Sequence, residues 1–434
     1  MSEPSAIRLR PPGPIHAVLR PPGSKSITNR ALLLAALARG ESRLSGCLES
    51  EDTHLMRAAL DRLGVPCAAD ATAEQVTVTG TGGPFARIDD AARPIDVGTA
   101  GTAARFLTAA LAGSPIEVGV DGSPRMRERP MAGLLEVLEE QGASITYHGQ
   151  PGALPITMRG AALRGGTIRL ARPPSSQFIS ALILAAPLAR QPTMIVLEDG
   201  TPARPYVDMT LAVLRAFGGD GGWIDDGALR IAPGTLQGRD YAVEPDASAA
   251  SYFLALAAIY GGTVTIPDLG SASLQGDAGF VRVLERMGAS VSQDATSTAV
   301  TGAGRLRGVD LDLADMPDMT LTVAALALHA DGATSIRGVE ILRHHESDRI
   351  AAAATELRKL GAEVDEAPGG LRIVPPAGGA RRGVTIDTYL DHRMAMAFAL
   401  AGDVVIADPG CVRKTFPGYF QVLAGLGMVA GDEA

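Results

Sequence analysis

The chain has 434 residues, 46% of them hydrophobic and 20% charged, with 51 glycines and a formal net charge of −9. A single hydrophobic core stops growing at roughly 250–300 residues, so two domains are expected, and this apolar content excludes a disordered chain. The acidic balance provides no basic face of the kind nucleic acid requires, so any anion site must be built locally.

The three cysteines, Cys47, Cys67 and Cys411, are odd in number and lack metal-ligand spacing. They read as reduced thiols, and neither a metal nor another cofactor is expected. The opening MSEPSAIRLRPPGP has no apolar leader core, and the longest clean apolar run, Ala31–Ala38, falls short of the ~18 residues of a membrane span. A cytoplasmic monomer without membrane or nucleic-acid partners is expected.

In chain order, Ser5–Arg20 comes first and could pair with either domain. A six-fold repeat follows. Its unit opens with a loop, then an apolar helix and a short β-branched strand, as in RALLLAALARGESRL, RFLTAALAGSPIEV, ISALILAAPLARQPTMIV, SYFLALAAIYGGTVTI, LTVAALALHADGATSI and RMAMAFALAGDVVI. Helices apolar nearly all round must be buried. The unit closes on a second helix ending Leu-x-x-x-Gly, with the glycines at Gly64, Gly142, Gly218, Gly288, Gly361 and Gly427. Glycine marks a helix C-terminus because it takes the left-handed conformation at no side-chain cost. Extended residues follow most of these glycines, as in SITYHG, SVSQD and EVDEA. Three units per domain place a boundary near Glu244–Asp246.

The loops before the apolar helices carry chemistry. They read PGSKSITNR (22–30), DVGTAGTAAR (96–105), PPSSQF (173–178), PDASAAS (245–251), MPDMT (316–320) and LDHR (390–393). A helix N-terminus presents unpaired N–H groups and a positive dipole end, so several such ends facing one site make an anion trap. The second loops add Glu51 and Asp52, PRMRERP (124–130), Arg204, Gln275 and Asp277, HHESDR (344–349), and Arg413 with Lys414. Arginine suits bidentate binding of carboxylate or phosphate, and lysine acts as a point charge that can move protons. Among these cations Asp318 and Glu346 are the acid/base candidates. Trp223 and the histidines at 16, 54, 148 and 329 carry no functional signal.

PGSKSITNRALLLAALA, PRMRERP, SSQF, PDASAASYF, HESDR, TELRKLGAEV, DHRMAMAFAL and KTFPGYF, in this order, resemble the signatures of the EPSP synthase family of enolpyruvyl transferases. The resemblance implies a two-domain inside-out α/β barrel with three βαβαββ units in each domain, residues 1–22 plus 244–434 forming one and 23–243 the other, closing over substrates at the hinge. It implies transfer of the enolpyruvyl group of phosphoenolpyruvate to the 5-hydroxyl of shikimate 3-phosphate, on the route to aromatic amino acids. By matching positions, Ser26, Arg30, Ser175, Ser176, Arg204, Tyr206, Asp318 and His345 resemble shikimate 3-phosphate contacts. Thr99, Gly101, Arg129, Arg349, Arg393 and Lys414 resemble phosphoenolpyruvate contacts. Lys25 and Gln177 should meet both, and Lys25, Asp318 and Glu346 are the catalytic set.

There are departures from the family's pattern. His345 stands where many members have lysine, with shorter reach and a charge that depends on pH. Ala203 replaces a common serine, which the neighbouring Arg204 could offset, and Thr99 replaces an asparagine. The sister transferase acting on UDP-N-acetylglucosamine generally uses a loop cysteine, and residues 110–130 contain none. A paralogue acting on another cyclic acid is an alternative. So is a non-catalytic anion-binding repeat protein, which would keep the arginines without needing Asp318 and Glu346.

Overall fold

A helix without a polar side can be hidden only by surrounding it, and the six apolar helices are treated that way. In the computed structural model, which describes residues 4–70, 74–171, 173–302 and 304–430, these helices are Lys25–Leu37, Gly101–Ala112, Ser176–Ala185, Ala247–Tyr260, Thr320–Ala327 and His392–Phe398. Every residue of Gly101–Ala112, Thr320–Ala327 and His392–Phe398 is buried. Residues 1–3 of the opening segment lie outside the described residues.

The chain divides into two compact units. One is Gly23–Glu244; the other joins the chain up to Pro22 to that from Pro245 onward. Glu244, placed with the longer C-terminal stretch on sequence, belongs with Gly23: its carbonyl accepts from Ser24 N at 2.8 Å. Asp246 N donates to Pro22 O, also at 2.8 Å, within the other unit.

Sheets wrap the buried helices, which gives the inside-out α/β arrangement. In the Gly23–Glu244 unit, Arg39–Ser45 follows the first buried helix and lies between Asp240–Ala242, its parallel neighbour, and Gln75–Thr81, its antiparallel one. Cys67–Ala69 completes the four-stranded sheet. The same order recurs in Ile95–Asp96, Glu117–Asp121, Ile156–Arg159, Ser144–Tyr147 and in Gly166–Leu170, Thr193–Leu197, Ala228–Ile231, Gly221–Trp223.

The other unit repeats the pattern with Ile15–Val18, Gly262–Pro267, Ser297–Gly302, Ser290–Gln293 and with Asp310–Asp312, Thr334–Arg337, Gly370–Val374, Glu363–Ala367. Its last sheet has three strands, Val384–Ile386, Val404–Ala407 and Ala6–Arg8, with a further bridge from Leu9 to Val429. The segment left open on sequence thus pairs within this unit, through Ile15–Val18 with Gly262–Pro267 and through Ala6–Arg8 with Val404–Ala407.

All six closing glycines have positive φ, from +78° at Gly64 and Gly427 to +115° at Gly142. Each follows the end of a second helix, where a side chain would be strained. Among the described residues no helix is long and apolar enough to cross a membrane.

Candidate active site

The helix starts are capped as their loop residues dictate. Ser24 and Asp246 accept from the N–H three residues on, at Ile27 and Ala249, and Ser175 and Asp391 from the N–H two residues on, at Gln177 and Arg393. These bonds fix the first turns, which carry the candidate side chains.

In the Gly23–Glu244 unit, Lys25 Nζ lies 3.2 Å from Asp52 Oδ2, a nearly buried carboxylate at the start of the helix Glu51–Arg62. Arg30, one turn further along the first helix, donates to Thr210 Oγ1 (2.8 Å), Ser180 Oγ (3.1 Å), Ser26 O (2.9 Å) and Tyr206 O (3.3 Å). Burial pulls its pKa down to about 10, and its guanidinium lies over the Phe106 ring at 5.0 Å. The structure therefore gives Arg30 a bracing role. It ties the first, second and third buried helices to the helix Arg204–Ala216 that bears Tyr206.

Arg129 ends the short helix Pro124–Glu128 and donates to Thr99 O at 3.2 Å. Of the three arginines in PRMRERP only Arg129 is buried; Arg125 pairs with Glu128 and Arg127 with Asp121. Gly101 leaves room for this close approach. A Cβ on it would stand 2.7 Å from Arg129 Nη2 and 2.8 Å from Arg105 Nη1, so two guanidinium groups crowd one helix start.

Ser175, Ser176 and Gln177 form the start of the third buried helix. Arg204 opens its own helix behind Ala203, which is left-handed (φ +46°) and offers no side-chain cap. Trp223, silent on sequence, lies under Arg204 at 4.2 Å from ring centroid to guanidinium and donates from Nε1 to Asp208 at 2.6 Å.

In the other unit the candidates join in one network. Arg349, 2% exposed, donates from Nη1 to Asp318 (3.0 Å), from Nη2 to Glu346 (2.9 Å) and from Nε to Asp391 (2.8 Å). Burial works against its charge, yet the carboxylates of Asp391, Glu346 and Asp318 outweigh it and hold its pKa above the usual arginine value. Arg393 donates to Asp318 Oδ2 at 2.7 Å and to Ser248 Oγ at 3.3 Å, and Lys414 Nζ lies 3.7 Å from Glu346. Three buried helices, beginning near Ala247, Thr320 and His392, thus bring their first turns together.

His345 joins the same network. Arg349 Nη1 lies 2.9 Å from His345 Nδ1. Arginine only donates, so Nδ1 is the acceptor, a pairing that a doubly protonated ring could not make. The same ring nitrogen lies 4.0 Å from Asp318 Oδ1, so His345 stands beside both members of this pair.

Sequence reasoning missed Asp391, Arg105, Ser248 and Trp223 as site neighbours. Asp391, Ser248 and Arg105 all lie in stretches already singled out, Arg105 four residues after Gly101 on the same helix face. Trp223 has no local signal, since its strand reaches Arg204 only through the fold.

The family model of EPSP synthase (3-phosphoshikimate 1-carboxyvinyltransferase) matches residues 9–423. The chain belongs to the EPSP synthase family. A family relative from Nostoc sp., named 3-phosphoshikimate 1-carboxyvinyltransferase, is 45% identical over 418 residues, covering 94% of this chain and 96% of the relative. A relative of the same name from Klebsiella pneumoniae is 42% identical, covering 98% and 100%. Among solved structures, EPSP synthase from Acinetobacter baumannii superposes with a TM-score of 0.81 at 25% identity, covering 98% and 100%. The enolpyruvyl transferase NikO from Streptomyces tendae has the same fold, with a TM-score of 0.78 at 19% identity, covering 99% and 100%.

Proposed function

We propose that the chain transfers the enolpyruvyl group of phosphoenolpyruvate to the 5-hydroxyl of shikimate 3-phosphate, giving 5-enolpyruvylshikimate 3-phosphate and inorganic phosphate. The observation that carries this reading is the sharing of one buried guanidinium, Arg349, by Asp318 and Glu346. A protein that only bound anions would have no use for two carboxylates fixed among its cations. An addition–elimination needs both, because each half moves a proton.

Asp318 takes the 5-hydroxyl proton as the oxygen attacks C2 of phosphoenolpyruvate, and Glu346 supplies a proton to the methylene carbon, giving a tetrahedral ketal. In the second half Glu346 removes a proton from that carbon, the C–O bond to phosphate breaks, and the proton held by Asp318 returns to the departing phosphate. Arg349, Arg393 and Lys414 are assigned the phosphoenolpyruvate charges, as are Thr99, Gly101 and Arg129. Fixed cations aimed at developing charge stabilise it without reorganising. Shikimate 3-phosphate falls to Lys25, Ser26, Arg30, Ser175, Ser176, Gln177, Arg204, Tyr206, Asp318 and His345, with Arg30 also bonded to the carbonyls of Ser26 and Tyr206.

We read the enzyme as a cytoplasmic monomer needing no cofactor. Burial pushes the thiols of Cys47, Cys67 and Cys411 up to about 12, and none of them lies in residues 110–130, the stretch compared with the cysteine loop of the sister transferase.

The deciding experiment mixes the protein with each substrate alone and with both. Phosphate should appear only with both; no phosphate under any condition would leave an anion-binding protein.

A second expectation concerns Arg204. Trp223 is the only tryptophan, so its emission reports on the guanidinium stacked over it. Shikimate 3-phosphate should change that emission, and Arg204→Ala should raise the KM for this substrate about ten- to hundredfold, as expected for losing a charged hydrogen bond. An emission unchanged at saturation, with an unchanged KM in the variant, would remove Arg204 from the substrate site.

A further inference from the structure

Behind Arg393 lies a buried carboxyl group that no step above uses. Asp277 sits on the turn Gly276–Phe280 and is 5% exposed. Ser248 Oγ donates to its Oδ2 at 2.5 Å, while Arg393 Nη2 donates to Ser248 Oγ at 3.3 Å and to Asp318 Oδ2 at 2.7 Å. One guanidinium nitrogen therefore stands between two acids, touching the first and reaching the second through a hydroxyl.

The relay is held at both ends. Ser248 lies in the first turn of a buried helix, where Asp246 accepts from Ala249 N at 2.8 Å. Gln275, two residues before Asp277, accepts from Ala247 N at 3.0 Å and donates to Pro245 O at 2.8 Å. These bonds hold side by side the two backbone segments that bear the hydroxyl and the carboxyl.

We propose that Asp277 is a positioning residue which, acting through Ser248, sets how much of the Arg393 charge is available to phosphoenolpyruvate. The proposal rests on the enolpyruvyl-transfer reading. A neutral Asp277 leaves the guanidinium to Asp318 and the substrate. An ionised Asp277 adds an anion to the same network and weakens the positive potential the substrate meets.

The charged groups facing it divide. Burial favours the neutral acid most, with Asp318 and Asp246 on the same side, while the Ser248 hydrogen bond and Arg393 favour the carboxylate. Together they hold the carboxyl up at about 7, so both states are populated near neutral pH.

The test compares the wild type with Asp277→Asn, which keeps an oxygen for Ser248 but cannot ionise. KM for phosphoenolpyruvate is measured from pH 5.5 to 8.5 by phosphate release. The wild-type-to-variant ratio cancels the ionisation of the substrate itself. It should be near one at pH 5.5 and rise to roughly five- to tenfold at pH 8.5, with much smaller changes in kcat. A flat ratio with both enzymes active overturns this inference alone, whereas an inactive wild type overturns the enolpyruvyl reading beneath it.

Unfolding gives an independent readout. An acid whose pKa is raised by folding contributes stability below its unfolded value, and that contribution is lost as pH rises through about 7. Asp277→Asn should therefore raise the unfolding midpoint relative to the wild type more at pH 8 than at pH 5; an equal change at both overturns the idea. Should that variant not fold, Ser248→Ala cuts the relay, so the wild-type-to-Ser248→Ala ratio of KM should rise between pH 5.5 and 8.5 in the same way, and a flat ratio would count against the proposal.

Discussion

Glu346→Gln is expected to lower kcat by about 10²–10⁴-fold, the range for removing a general acid–base group, while the KM for either substrate changes little. Glutamine matches glutamate in size and keeps an oxygen able to accept from Arg349 Nη2, which lies 2.9 Å from Glu346 Oε2. What it loses is the ability to take and return a proton. Deuterium incorporation from solvent into the methylene carbon should fall with kcat. A variant that turns over normally, or one in which only KM rises, would take Glu346 out of the proton transfers and leave it as a support for Arg349 and Lys414.

Arg349→Met is expected to destabilise its unit by about 3–5 kcal/mol, the usual cost of leaving a buried ion without its partner. The orphan is Asp391, whose side chain is wholly inaccessible and is bonded by Arg349 Nε at 2.8 Å and Nη2 at 3.2 Å. Ser347 Oγ and Arg393 N would still donate to it, but neither replaces the lost charge. Urea unfolding measures the loss. Adding Asp391→Asn should recover about 1–3 kcal/mol, because contacting sites do not behave additively. A single variant as stable as the wild type, or a double variant no better than the single, would show that the network is not organised around this pair.

Much of this was legible from residues. Helices apolar on every side announced their own burial, and the glycines at Gly64 and Gly142 fixed where the second helices stop. The charged loops were legible because a helix start so rich in Ser, Asp and Arg has little reason to be so unless it caps or binds. Two strands of most units were not visible. The parallel edge strand of the first unit comes from Asp240–Ala242, nearly two hundred residues after the strand it joins, and no local pattern records that distance. Nor could spacing tell which cations are committed within the protein. Arg30 and Arg129 look alike on paper, yet one is enclosed by Thr210, Ser180 and two carbonyls while the other crowds Gly101. Which ring nitrogen of His345 faces Arg349 is a matter of orientation that no spacing records.

The out-of-order strands also bear on how the polypeptide is made. On a ribosome the Gly23–Glu244 unit has all its sheet partners once Ala242 has emerged, so it can fold while synthesis continues. The remaining unit cannot do this. Ile15–Val18 must wait for Gly262–Pro267, and Ala6–Arg8 for Val404–Ala407, before either edge is satisfied. At the 5–20 residues per second typical of translation, that leaves Ile15–Val18 unpaired for roughly twelve seconds or more and Ala6–Arg8 for roughly twenty or more, in reach of chaperones and proteases. Its prolines at 11, 12 and 14, which cannot donate to a neighbouring strand, make this early stretch a poor template for wrong pairing during the delay.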